Sequence, residues 1–215
     1  MTAESGLYLL NRRDLPPVSA AWRAALSAPV RERLAAMTST RARRQSEDGL
    51  RLLAAAAGHD GWPIDLAALT RRDGQLGMPD GPAISLSHAG DYAVCAVTDG
   101  GAIGVDIERI RPLRTLRVLR LLSLAENAAA EHDPAMFFVS WTAREAVIKA
   151  TGQVGPRRLA AVRIEADTAW LDDRAFRLSR PPAPAGYALC TAAEGAPPPA
   201  EAQDLTASVR KNSAA

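Results

Sequence analysis

Residues 102–110 alternate strictly, with Ile103, Val105 and Ile107 on one side and Gly104, Asp106 and Glu108 on the other. A period of two predicts a half-buried strand. Such a strand constrains the fold, because its apolar side must be covered while its other side carries two carboxylates. Side chains two apart project the same way, so Asp106 and Glu108 stand roughly 7 Å apart at about 3.3 Å per residue. Like charges that close repel unless a cation lies between them. A hard cation such as Mg²⁺ takes oxygens from one or two carboxylates together with substrate phosphates, and the pair suits it. The same pattern also describes a solvated edge-strand face. The rest of the chain must decide.

Before this strand, residues 6–10 read as a first strand. A helix follows from Ser19 to about Leu26, and a second starts at Ser27-Ala28-Pro29 with Ser27 as cap. Ser46-Glu47-Asp48 is expected to open a third helix that runs to about Ala57 and stops at Gly58. Residues 58–82 read as loop. Residues 83–88 and 92–98 alternate like strands and, with 102–110, predict a three-stranded meander.

Beyond the central strand, residues 113–131 and Ala135 to about Ala150 are helical in pattern, the second ended by Gly152. Glu145 and Lys149 sit four apart on one helix face, as a plain surface pair would also do. Four short strands are expected within 162–192. This order predicts an α+β protein of two halves, 1–99 and 102–192, with 193–215 a loosely ordered tail in which Asp204–Val209 could add one edge strand.

Composition excludes several classes. At 47% hydrophobic and 23% charged, the 215-residue chain has an ordinary globular balance. Its formal net charge of +2 gives no general reason to expect a nucleic-acid partner. No run approaches a membrane span, and Met1–Ser5 carry no secretory pattern, so the expectation is a cytoplasmic protein that needs no membrane. Cys95 and Cys190 lie in apolar runs and read as buried thiols, with one disulfide the alternative. Arg111, Arg114, Arg117 and Arg120 recur every third residue, which wraps around a helix and gives either a basic surface or a solvated face.

Four segments, in this order, resemble 4′-phosphopantetheinyl transferases of the surfactin-synthetase-activating type. They are Asp48-Gly49-Leu50-Arg51, the Ser85-Leu86-Ser87-His88 strand, Ile103-Gly104-Val105-Asp106-Ile107-Glu108, and Trp141 to Gly152 with Arg144-Glu145 and Lys149. The resemblance implies a fold of two similar α+β halves (a pseudo-dimer) with the active site in the cleft between them. It implies Mg²⁺-dependent transfer of the phosphopantetheine arm of coenzyme A to a serine of an apo acyl or peptidyl carrier domain, as in polyketide or nonribosomal peptide biosynthesis. The by-product would be 3′,5′-adenosine bisphosphate, and the enzyme a monomer.

By the same resemblance, Asp106, Glu108 and Glu145 would hold the metal. Asp106, Glu145 and Lys149 would be catalytic, with Lys149 also touching phosphate. Ser87 and His88 would meet coenzyme A, and Arg51 would grip its 3′-phosphate. The family carries a lysine where Gln75 stands, and a second arginine where Asp60 stands; Arg43 or Arg44 would compensate for the latter. The arginines at 111–120 would dock an acidic carrier. The alternative is a non-catalytic module that binds coenzyme A or a carrier.

Overall fold

The computed structural model describes residues 4–72, 75–112, 121–153, 156–195 and 197–213. Its first part comprises β1 (Ser5–Asn11), α1 (Ala20–Ala24), α2 (Ala28–Ala35), α3 (Thr40–Asp60), β2 (Thr70–Arg72), β3 (Gln75–Gly77), β4 (Ala83–Ala89) and β5 (Tyr92–Thr98). The second comprises β6 (Ile103–Arg109), α4 (Leu124–His132), α5 (Pro134–Thr151), α6 (Pro156–Ala161), β7 (Arg163–Glu165), β8 (Thr168–Leu171), β9 (Arg174–Ser179) and β10 (Tyr187–Ala193). The chain then returns to the first part through β11 (Gln203–Asp204) and α7 (Thr206–Ser213). The protein is α+β, as expected.

Two main sheets result, ordered β11-β1-β5-β4 and β6-β10-β9-β8-β7. They pack face to face, because β5 and β10 are buried on both sides. Leu7 of β1 and Val94 and Ala96 of β5 meet Ile103, Val105 and Ile107 of β6 and Leu189 of β10. The opposite side of the first sheet, with Tyr8, Leu10, Cys95 and Val97, is covered by Leu52, Leu53 and Ala56 of α3. Cys190 and Ala192 of β10 are covered by Ala143, Ala146 and Val147 of α5. The order is helix, sheet, sheet, helix. Both cysteines are free buried thiols, one in each outer layer.

The expected meander is corrected here. β4 and β5 form a hairpin, whereas β6 leaves for the second sheet and pairs with β10 along its whole length, from Ile103↔Ala193 to Arg109↔Tyr187. Alternation fixes which side chains share a face; it is silent about the neighbouring strand. Nor is β6 half-buried, since residues 103–107 are buried on both faces.

Other boundaries move for local reasons. α3 begins at Thr40, where Ser39 accepts the Ala42 N–H, and ends at Gly61 with φ +70°. Its first turns, 40–45, are polar and leave no apolar signal, so Ser46-Glu47-Asp48 imitated a start. Residues 70–72 and 75–77, expected as loop, pair antiparallel as β2 and β3. In the tail, the edge strand read at Asp204–Val209 is the short β11, parallel to β1, and the chain continues as α7 with Leu205 and Val209 buried in the first core. The expected helix over 113–131 is described from α4 onward. α5 matches its expectation, from Pro134 in the first turn to Gly152 at φ +76°. No described helix is long and apolar enough to cross a membrane.

Candidate active site

The site starts from a missing side chain. A Cβ at Gly104 would lie 2.6 Å from Ala150 N and closer still to the Ala146 carbonyl oxygen. Glycine therefore lets α5 lie directly on β6. Asp106, two residues along and on the same side, then faces the helix surface that carries Glu145 and Lys149. Lys149 Nζ donates to Asp106 Oδ1 at 2.7 Å. Ser87 Oγ of β4 donates to the same oxygen at 2.7 Å. Asp106 Oδ2 is buried and has no partner among the described residues.

Glu145 shares this environment. Burial raises its pKa above the ordinary carboxylate value, the negative charges of Asp106 and Glu108 add to the effect, and Lys149 opposes it. Glu108 lies at the more open end of β6 and pairs with Arg111 at 3.0 Å. Negative charge thus exceeds the positive charge that Lys149 supplies. Among the described residues, no three His, Cys, Asp or Glu side chains close around one metal position. The donor set nevertheless fits a hard cation in kind: a buried carboxylate oxygen without a partner, beside a second carboxylate whose charge burial disfavours.

Beside this group opens a cleft of about 400 Å³, walled by α2, α3, the β2–β3 pair, β4 and Lys149. Val30, Leu34, Met37, Leu50 and Leu86 give it an apolar wall; Arg33, Arg71, His88 and Lys149 give it cations. No carboxylate appears among its described lining residues. Burial lowers the pKa of Arg71, and the nearby positive charge of Arg33 lowers it further. His88 is held below its ordinary value by desolvation within the cleft and by Arg12 and Lys149, although the residue remains exposed to solvent. The cleft is built for an anion with an apolar part.

The structure thus brings together Asp106, Glu145, Lys149, Ser87 and His88, with Glu108 at the margin. Gln75 joins them differently: its Nε2 donates to the Lys149 carbonyl and ties β3 to the end of α5. Arg51 lies outside the cleft lining, buried against the Pro16 carbonyl at 2.9 Å and Asp48 at 3.4 Å. Arg44 donates to the Leu15 carbonyl and lines a separate pocket. Arg144 turns away from the site, pairing with Glu126 and donating to the Leu159 carbonyl, so it braces α5 against α4. Arg111 is exposed; Arg114, Arg117 and Arg120 lie outside the described residues.

Two cleft cations, Arg33 and Arg71, were not singled out from the sequence as binding residues. A signal existed for the first. Val30, Arg33, Leu34 and Met37 follow the i, i+3, i+4, i+7 spacing of one helix face, and all four line the cleft.

Residues 102–194 match the family model of the 4′-phosphopantetheinyl transferase superfamily. The chain is also 40% identical over 74 residues to 4′-phosphopantetheinyl transferase psf-1 of Bacillus pumilus, covering 32% of this chain and 31% of that protein. It is 35% identical over 79 residues to 4′-phosphopantetheinyl transferase HetI of a Nostoc species, covering 34% of this chain and 33% of that protein. The alignments thus span about a third of the length of these relatives. The resemblance carried by the sequence motifs is borne out over the part that holds β6 and α5.

Proposed function

We propose that this chain is a 4′-phosphopantetheinyl transferase that loads the arm of coenzyme A onto a serine of an apo acyl or peptidyl carrier domain. One observation carries the reading most directly: the Asp106–Glu145–Lys149 group stands at the wall of a cleft that is lined by cations and apolar side chains and by no described carboxylate. A binding module would need the cations but has no use for buried carboxylates beside them. A phosphoryl transferase needs both.

In the reaction, the carrier serine oxygen bonds to the pantetheine-side phosphorus of the pyrophosphate. The bond from that phosphorus to the bridging oxygen breaks, and 3′,5′-adenosine bisphosphate leaves with the electron pair. Arg33, Arg71 and His88 would hold phosphate groups, and Val30, Leu34 and Met37 the less polar parts of the ligand. Lys149 would face the leaving phosphate, where a fixed cation stabilises growing charge more than ground-state charge. Glu145 would accept the serine proton, directly or through a water, as a carboxylate placed beside the nucleophile can. Asp106, Glu108 and Glu145 would hold Mg²⁺, which when bound neutralises the pyrophosphate. Residues 1–99 and 102–192 would be related halves meeting at this cleft, and the enzyme would act as a cytoplasmic monomer.

The test is direct. The protein is incubated with coenzyme A, Mg²⁺ and an apo carrier domain, and the carrier is weighed. A gain of one phosphopantetheine, lost with Asp106→Ala, supports the reading. Binding of coenzyme A without transfer would leave a non-catalytic module instead.

A further inference from the structure

Two serines on β4 share one task, and one of them does more. Ser85 and Ser87 are two residues apart, the repeat that returns side chains to the same side of a strand. Ser85 Oγ accepts the Val105 N–H at 3.0 Å and Ser87 Oγ accepts the Ile107 N–H at 3.4 Å. The hydroxyls thus stand where ladder carbonyls would stand, and they stitch the first sheet to β6, which pairs elsewhere. Among the described residues of this seam Ser87 alone also reaches a carboxylate, donating to Asp106 Oδ1 at 2.7 Å from a buried position.

A hydroxyl has one hydrogen to donate. That hydrogen goes to Asp106, and one lone pair goes to Ile107, so no donor is left for a phosphate oxygen. Asp106 Oδ1 meanwhile has two donors from different elements, Ser87 of β4 and Lys149 of α5. Two fixed donors on one oxygen set the plane of the carboxylate. The second oxygen, buried and unpartnered, is what this arrangement presents.

We propose that Ser87 is a positioning residue: its hydroxyl fixes the Asp106 carboxylate so that Oδ2 is held ready for a divalent cation, and it does not serve as a coenzyme A ligand. The consequence for catalysis rests on the transferase reading; the consequence for Asp106 does not. Groups that orient a metal ligand typically contribute about 10- to 100-fold in metal affinity or activity.

Ser85 supplies the internal control, since it makes the same kind of seam bond without touching Asp106. Ser87→Ala and Ser85→Ala would be compared by crystal structure, by Mn²⁺ binding to the isolated protein, and by transfer kinetics. Both should lower the melting temperature. Ser87→Ala alone should turn the Asp106 carboxylate, weaken Mn²⁺ binding about 10-fold or more, and lower kcat with little change in KM for coenzyme A. Ser87→Thr should restore all three, and Ser87→Val, equal in shape, should not. That last pair also decides the matter if alanine loosens the seam too far to fold. The proposal is overturned if Ser87→Ala behaves as Ser85→Ala, or if it raises KM for coenzyme A while kcat and Mn²⁺ affinity hold. Should the wild-type protein move no arm at all, the transferase reading fails, and the Asp106 orientation and Mn²⁺ isotherms still decide the role of Ser87.

Discussion

Gly104→Ala tests the contact on which the whole site depends. The added Cβ would lie 2.6 Å from Ala150 N and nearer still to the Ala146 oxygen, and ordinary contact begins near 3.4 Å. The obstacles are backbone, so no side chain can step aside. Clearing Ala150 N alone needs α5 to retreat from β6 by about 0.8 Å, and the nearer Ala146 oxygen requires more. Overpacking of this kind costs about 1–3 kcal/mol, and a strand interior gains back roughly 0.5–1 kcal/mol on losing a glycine. A clash with backbone belongs at the upper end of that cost, so the net loss is about 2–2.5 kcal/mol, or a melting temperature lower by roughly 4–10 °C for a chain of this size. The effect on transfer should be larger. Lys149 and Glu145 ride on the helix, and a misplacement of about 1 Å can cost roughly 10²-fold in rate. Gly58→Ala in α3 is the matched control, since nothing lies within 4 Å of its Cβ, and it should be neutral or slightly stabilising. Thermal unfolding and the carrier-mass assay read both. If Gly104→Ala melts with wild type and transfers at full rate, the helix is not seated on the strand as described, and Lys149 and Glu145 do not meet Asp106 in this way.

Lys149→Ala should lower kcat by roughly 10²-fold with a smaller change in KM for coenzyme A, as expected for a cation acting on developing charge; a raised KM with intact kcat would make it a binding residue only. Glu145→Gln should abolish transfer yet raise the melting temperature of the metal-free protein at neutral pH. The sign follows from the raised pKa: between the ordinary value of 4.5 and the raised one, the folded chain binds more protons than the unfolded chain. Wild-type stability therefore falls as pH rises through that window, and the deficit persists above it. Glutamine lacks this titration, so the two melting curves should converge below pH 4.5. A Glu145→Gln protein that melts lower at pH 7 would show that the charge is compensated in the fold.

Much of the site was legible because it lies within two regular elements. A period of two placed Asp106 with Glu108 and a spacing of four placed Glu145 with Lys149, while their assignment to one site came from the resemblance. What brings the elements together was less legible. The alternation of β6 is the same whether it pairs with β5 or β10, so the expected meander and the observed sheet differ only in contacts between distant residues. The tail misled for a related reason. Its prolines and alanines suggest loose chain, yet Leu205 and Val209 are spaced by four and enter a core built nearly 200 positions earlier, beside Leu10. Arg51 shows the limit of a short motif: D-x-x-R is present, and the structure pairs its two ends with each other.

The two most informative sequence blocks are parts of one joint. Gly104 omits a side chain so that α5 can approach β6 from one side. Ser85 and Ser87 supply short hydroxyls so that β4 can approach the same strand from another, capping the N–H groups of Val105 and Ile107. Between these approaches stands Asp106, which receives one donor from β4 and one from α5. A larger residue at 104 would lift away the helix donor, and an apolar residue at 87 would remove the strand donor. The S-x-S and G-x-D-x-E spacings are therefore both two because each must match the repeat of a single strand. The Asp106 carboxylate stands where the two strands and the helix meet.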